Sequence, residues 1–204
     1  DANEVVEAYR YIMQLHHQPA VLVLSRQAMP TLDRSKYAAA SGVARGAYTL
    51  ADSPGGNPEV IFIASGSEVS LAVQAHEKLN AQGIRSRVVS MPSWEIFDHQ
   101  PQEYRDSVLP PSVKARVAVE QGSTFGWERY VGLSGRTIGM KTFGASAPLK
   151  ELQRKFGFEP ERVAAAGARE HHGERGLLLL ALHDPLPRGR VELLHLHRRR
   201  RARD

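Results

Sequence analysis

Apolar positions along the chain alternate between two patterns, stretches with helical spacing and short solid runs. Val5, Ala8, Ile12 and Leu15 recur every three or four residues and predict a helix over residues 3–16. Asn3 is placed to cap it, and Glu4 suits a first turn where the helix dipole favours negative charge. Residues 20–24 (AVLVL) are a solid run and read as a short strand buried on both faces. The run leads into Ser25-Arg26-Gln27, and Pro30 bars its continuation. A helix and one strand are too little to form a sheet, so they read as the remnant of another α/β domain. The chain is accordingly expected to begin inside a domain. Residues 33–58 read as a linker, with a brief extended piece near 46–50 and dense turn chemistry at 53–58 (SPGGNP).

A second run of the same alternation starts at Glu59. Residues 60–64 (VIFIA) are a solid strand pattern. Ser65 and Glu68 have capping-box spacing, and Val69, Ala72, Val73, His76 and Leu79 line one face of a helix closed by Gly83. Strands follow at 87–91, 115–119 and 137–140, separated by one helical turn at 94–97, a helix over 101–108 and a short helix at 127–130. Pro148 opens a helix with Leu149, Leu152 and Phe156 on one face, Gly157 ends it, and another covers 160–166. This predicts an α/β domain over 59–167, an open, mostly parallel twisted sheet with helices on both faces.

Composition changes that picture mainly at the end of the chain. Apolar and charged contents of 42% and 24% are ordinary for a globular protein. There is no cysteine, which removes disulfide and thiolate chemistry. No apolar run has the ~20 residues of a membrane span, and residues 1–4 (DANE) lack a signal-peptide layout, so the expectation is a cytoplasmic protein with no membrane partner. The net charge is +5, but nine of the 27 basic and five of the 22 acidic residues lie in 168–204. That segment carries +4 and the rest of the chain +1. A nucleic-acid partner is therefore not expected. Residues 168–204 also hold nine Leu and five of the nine His, without either apolar period. Homopolymeric runs of Leu and Arg there read as an aberrant, disordered tail, of the kind a frameshift near Gly167 in a GC-rich gene would encode.

Few residues carry candidate chemistry. Arg26 follows the first strand pattern, where α/β proteins gather ligands, and a guanidinium suits phosphate. A structural arginine, bonded to a carbonyl or carboxylate, fits the same position. Residues 64–67 (ASGS) resemble a phosphate-binding turn but lack its further glycines and lysine, and a capped helix start accounts for them better. His76 falls on an apolar helix face and reads as packed. His16, His17 and His99 show no two-histidine metal spacing, and no metal is assigned. Glu120, at a strand end, suits acid/base chemistry, a cap or an interface.

Several stretches together resemble one family. They are residues 1–8 (DANEVVEA), Leu24-Ser25-Arg26-Gln27, residues 63–72 (IASGSEVSLA), residues 87–92 (RVVSMP), residues 122–128 (GSTFGWE) and residues 142–148 (TFGASAP). They are similar to the carboxyl-terminal third of bacterial transketolases, continuously from Asp1 to about Ala166. The stretches Leu-Ser-Arg-Gln and Gly-Trp-Glu favour transketolase over related thiamine-dependent synthases and dehydrogenase subunits.

The resemblance implies an enzyme that moves a two-carbon ketol unit between sugar phosphates, with thiamine diphosphate and a divalent cation (Mg or Ca) as cofactors, in a homodimer. It implies that residues 1–32 end the pyrimidine-binding domain and that 59–167 form the carboxyl-terminal domain, which supplies no cofactor ligand. Arg26 alone carries over, as the contact to the substrate's phosphate. The catalytic residues and metal ligands of the family would lie upstream of Asp1. The isolated chain is thus expected to be inactive and to bind no cofactor, with the missing amino-terminal region as its partner. The alternative is a stand-alone assembly or regulatory module that pairs with a separate thiamine-diphosphate-binding subunit.

Overall fold

A computed structural model describes residues 1–174. Its centre is a five-stranded sheet built from β1 (Tyr48–Asp52), β2 (Val60–Ala64), β3 (Ser86–Ser90), β4 (Arg116–Ser123) and β5 (Arg136–Met140). The order is β1-β3-β2-β4-β5, parallel throughout except that β1 runs antiparallel to β3. The solid apolar run of β2 is explained by its place. It is the middle strand, covered on both faces, and all five of its residues are buried. Alternate side chains point to opposite faces. Phe62 packs with Leu79, Val88, Val117 and Val163, and Ile61 and Ile63 pack with Met91, Phe97, Ala118 and Tyr130.

Helices α2 (Glu68–Ala81) and α7 (Pro160–Glu174) cover the first face. The second is covered by α3 (Trp94–Asp98), α4 (Gln102–Val108) and α5 (Glu128–Val131). Helix α6 (Leu149–Phe156) closes on Gly157, whose φ of +86° is open to glycine at little cost. Helix α7 approaches the sheet closely at Gly167. A Cβ there would lie 2.7 Å from Phe62 Cζ and 3.1 Å from Leu79 Cδ1. No described helix is long and apolar enough to cross a membrane.

The structure departs from the sequence expectations at five places. The first helix, α1, is Ala2–Ile12, and its cap is Asp1, whose carboxylate accepts from Glu4 N. Asn3 instead donates to Leu32 O. Residues 20–24 are not a buried strand. They pair with no strand, and Val21 and Val23 are each 87% exposed. A solid run needs covers on both faces, and the sheet's edges, β1 and β5, lie elsewhere. The Ser65/Glu68 capping box does not form; Glu68 N donates to Ser65 O, and the Glu68 carboxylate is bonded by Ser67. Strand β1 lies within the stretch read as a linker, so the sheet begins at Tyr48 rather than after Glu59. Finally, α7 passes through Gly167 to Glu174, with Ala168 and His171 buried, so the segment read as an aberrant tail starts as an ordered helix. The rest of that segment lies outside the described residues.

Candidate functional site

The winding of an open sheet reverses where the chain proceeds from one strand to neighbours on either side, and the crevice there is the usual place for a ligand. Here the reversal lies at the carboxyl ends of β2 and β4, since β3 flanks β2 on one side and β4 on the other. A cavity of about 450 Å³ opens at this point. The turn after β2 supplies Ser65 and Gly66, the start of α2 supplies Glu68, and β4 itself supplies Glu120. It is also lined by α1, through Glu4, Val5 and Ala8, and by residues 21–25.

Of the carboxyls that line this cavity, those of Glu68 and Glu120 are altered by burial. Glu68 is 5% exposed. Burial pushes its carboxyl up to about 7; the neighbouring Glu120 adds to the rise, and hydrogen bonds from the Ser67 hydroxyl and the Gln121 N–H oppose it. Glu120 is also pushed up by burial, against a hydrogen bond from Gly122 N at 2.9 Å. Glu120 owes its position to an irregularity between β4 and β5, where the register slips between Glu120 and Ser123.

The ends of the segment over the cavity meet in a knot of polar side chains. Glu4 Oε1, buried, accepts from the Tyr48 hydroxyl at 2.7 Å and the Ser90 hydroxyl at 2.6 Å. Burial, and then the charge of Glu4, push the Tyr48 phenol well above its ordinary range, so it remains a donor. Arg34 donates to the Tyr48 oxygen at 3.1 Å and to Asp1 Oδ1 at 2.9 Å. Asp1 Oδ2 accepts from Leu32 N at 2.8 Å, and Asn3 reaches Leu32 O at 3.1 Å. Residues 1–32 are therefore an excursion closed at its base and fixed to the ends of β1 and β3.

Arg26 lies on this excursion at an exposed bend, one residue beyond Ser25, which lines the cavity beside Gly66. Among the described residues no hydrogen bond or ion pair engages its guanidinium. The structure thus shows neither of the bonds that a structural arginine would have. His76 is packed, its Nδ1 2.9 Å from Ser86 Oγ and its ring beside Asn80, and burial lowers its pKa. His16, His17 and His99 are exposed and do not converge. Sequence reading missed the roles of Glu4, Tyr48, Ser90 and Glu68. Glu4 had a signal available, because it shares the stripe of Ala8 and Ile12 at four-residue intervals.

Comparison with known proteins gives a consistent result. The family model for the transketolase-like TK C-terminal domain matches residues 46–159. A transketolase of Geobacillus stearothermophilus is 47% identical over 163 residues, covering 80% of this chain and 24% of that protein. The structure of a transketolase from Leishmania mexicana superimposes with a TM-score of 0.76 at 42% identity, covering 84% of this chain and 24% of the other. A transketolase from Pichia stipitis in complex with sedoheptulose-7-phosphate gives a TM-score of 0.75 at 39% identity, with the same coverage. The chain spans about a quarter of the length of the relatives it matches.

Proposed function

The chain belongs to the transketolase-like C-terminal domain family, and from this premise we propose that it is the carboxyl-terminal part of a transketolase. The observation that carries this is the alignment itself, 47% identity over 163 residues against a quarter of the relative's length. In the complete enzyme this part contributes an assembly surface and one substrate contact. The reaction is transfer of a two-carbon ketol unit between sugar phosphates in the pentose phosphate pathway, in a cytoplasmic homodimer.

The described residues do not fit the cofactor. A diphosphate needs cationic or N–H donors, and the cavity presents the carboxyls of Glu68 and Glu120. Among the described residues, no group of three His, Cys, Asp or Glu side chains could hold a divalent cation. Thiamine diphosphate and its cation are accordingly assigned to the region preceding Asp1, and the chain alone is inactive.

Arg26 is the substrate contact. Its guanidinium forms a planar fork of donors matched to a phosphate, and a charge fixed at the distal end of a sugar phosphate orients the reacting end. The sugar-phosphate complex of the Pichia stipitis relative supports an anionic ligand of this class. In the complex of this chain with the amino-terminal region, Arg26→Ala is expected to lower kcat/KM for a phosphorylated ketose by about 10- to 150-fold, as loss of a charged hydrogen bond does. The same variant is expected to leave an unphosphorylated ketose unaffected. Equal effects on both would refute the assignment.

A further inference from the structure

We propose that Glu4 is a positioning residue for Arg26, acting as a latch that holds the excursion 1–32 against the sheet domain. The inference rests on the substrate-contact reading of Arg26. Both ends of the excursion converge on one knot. Asp1 and Leu32 close its base, and Glu4 fixes that base to Tyr48 of β1 and Ser90 of β3. Arg34 joins the two halves, bonding both the Tyr48 oxygen and Asp1. Beyond this knot α1 packs on the turn at Ala40–Arg45 and Ala8 touches the core, whereas the segment after α1 has little to hold it. Val21, Val23 and Leu24 are exposed, and residues 20–30 pair with no strand.

Glu4 is the natural centre of the latch because one oxygen, Oε1, accepts from two different strands while sitting buried at the first turn of α1. Truncating it leaves two buried hydroxyls without their acceptor and loosens α1, which lines the cavity together with residues 21–25. A glutamine retains the accepting oxygen. The sheet domain thereby acquires a part in catalysis without touching substrate, since it sets where the phosphate contact stands.

The test has two readouts. In the chain itself, amide hydrogen exchange is measured for wild type, Glu4→Ala and Glu4→Gln. Glu4→Ala is expected to accelerate exchange in α1 by about tenfold or more while β2 and β4 stay protected. Unchanged exchange in α1, or an equal rise in β2 and β4, would overturn the latch. In the complex with the amino-terminal region, Glu4→Ala is expected to raise KM for a phosphorylated ketose by about 10- to 100-fold without changing kcat for an unphosphorylated one. Glu4→Gln is expected to restore most of the loss. If Arg26→Ala raises that KM and Glu4→Ala does not, the positioning role is overturned. If Arg26→Ala is itself silent, the substrate-contact reading fails, and the positioning role fails with it.

Discussion

Glu68 gives the residue scale its sharpest pH dependence. Its carboxyl titrates near 7 in the folded protein against an ordinary value of 4.5, chiefly through burial. Between those values the folded state binds the extra proton and the unfolded state does not, so this contribution to stability falls as pH rises from about 4.5 to 7 and then levels off. Glu68→Gln should therefore stabilise the chain at pH 8, by up to about 3 kcal/mol, and change little near pH 4.5. Urea unfolding at the two pH values measures this, and an equal shift at both would refute it. His76 acts in the opposite sense. Its pKa is lowered by burial, so its contribution is lost as pH falls below the ordinary histidine range, and the glutamine variant separates the two.

Much of this scale was hidden in the sequence. That His76 would be packed followed from its helix face, but that Glu68 and Glu120 would share a cavity depended on the order of β2 and β4. No local pattern states that order. Glu4 looked like a first-turn carboxylate because the helix dipole explains it, although its partners are 44 and 86 residues away.

At the scale of elements, the solid run of β2 and the helical stripe of α2 were legible because each is buried in the way its own pattern requires. Phe62 stands at the centre of that arrangement, wholly buried against α2 and α7. Phe62→Ala is expected to cost about 3–5 kcal/mol in denaturant unfolding, and a loss below about 1 kcal/mol would contradict the packing described. Gly46 shows the other kind of constraint. It has a φ of +81°, and a Cβ there would lie 2.2 Å from Phe97 N. Gly46→Ala should destabilise by more than about 2 kcal/mol, since backbone strain and overpacking act together.

Where elements were misread, the missing information was tertiary. Strand β1 buries only Tyr48 and Leu50 and sits at an edge, so it never shows a solid run. Residues 20–24 show one, yet lie exposed, because a pattern states that covers are needed but not which chain supplies them. The continuation of α7 beyond residue 167 is explained by small residues that let it press on Phe62, a fit invisible without the sheet.

For the whole molecule, six of the nine exposed large apolar side chains among the described residues, Val6, Tyr9, Met13, Val21, Val23 and Leu24, belong to the excursion, and Phe125, Leu133 and Phe143 lie on the sheet domain. Three quarters of the relatives' length has no counterpart here. Mixing the chain with the amino-terminal region of a close relative is expected to give a stable complex by analytical ultracentrifugation. Val21→Asp with Val23→Asp should abolish it while leaving thermal unfolding of the sheet domain unchanged.

The most direct measurement is turnover of xylulose 5-phosphate and ribose 5-phosphate with thiamine diphosphate and Mg²⁺, by the chain alone and by that complex. No turnover is expected from the chain alone and clear turnover from the complex. Turnover by the isolated chain, or none when the complex has formed, would contradict this.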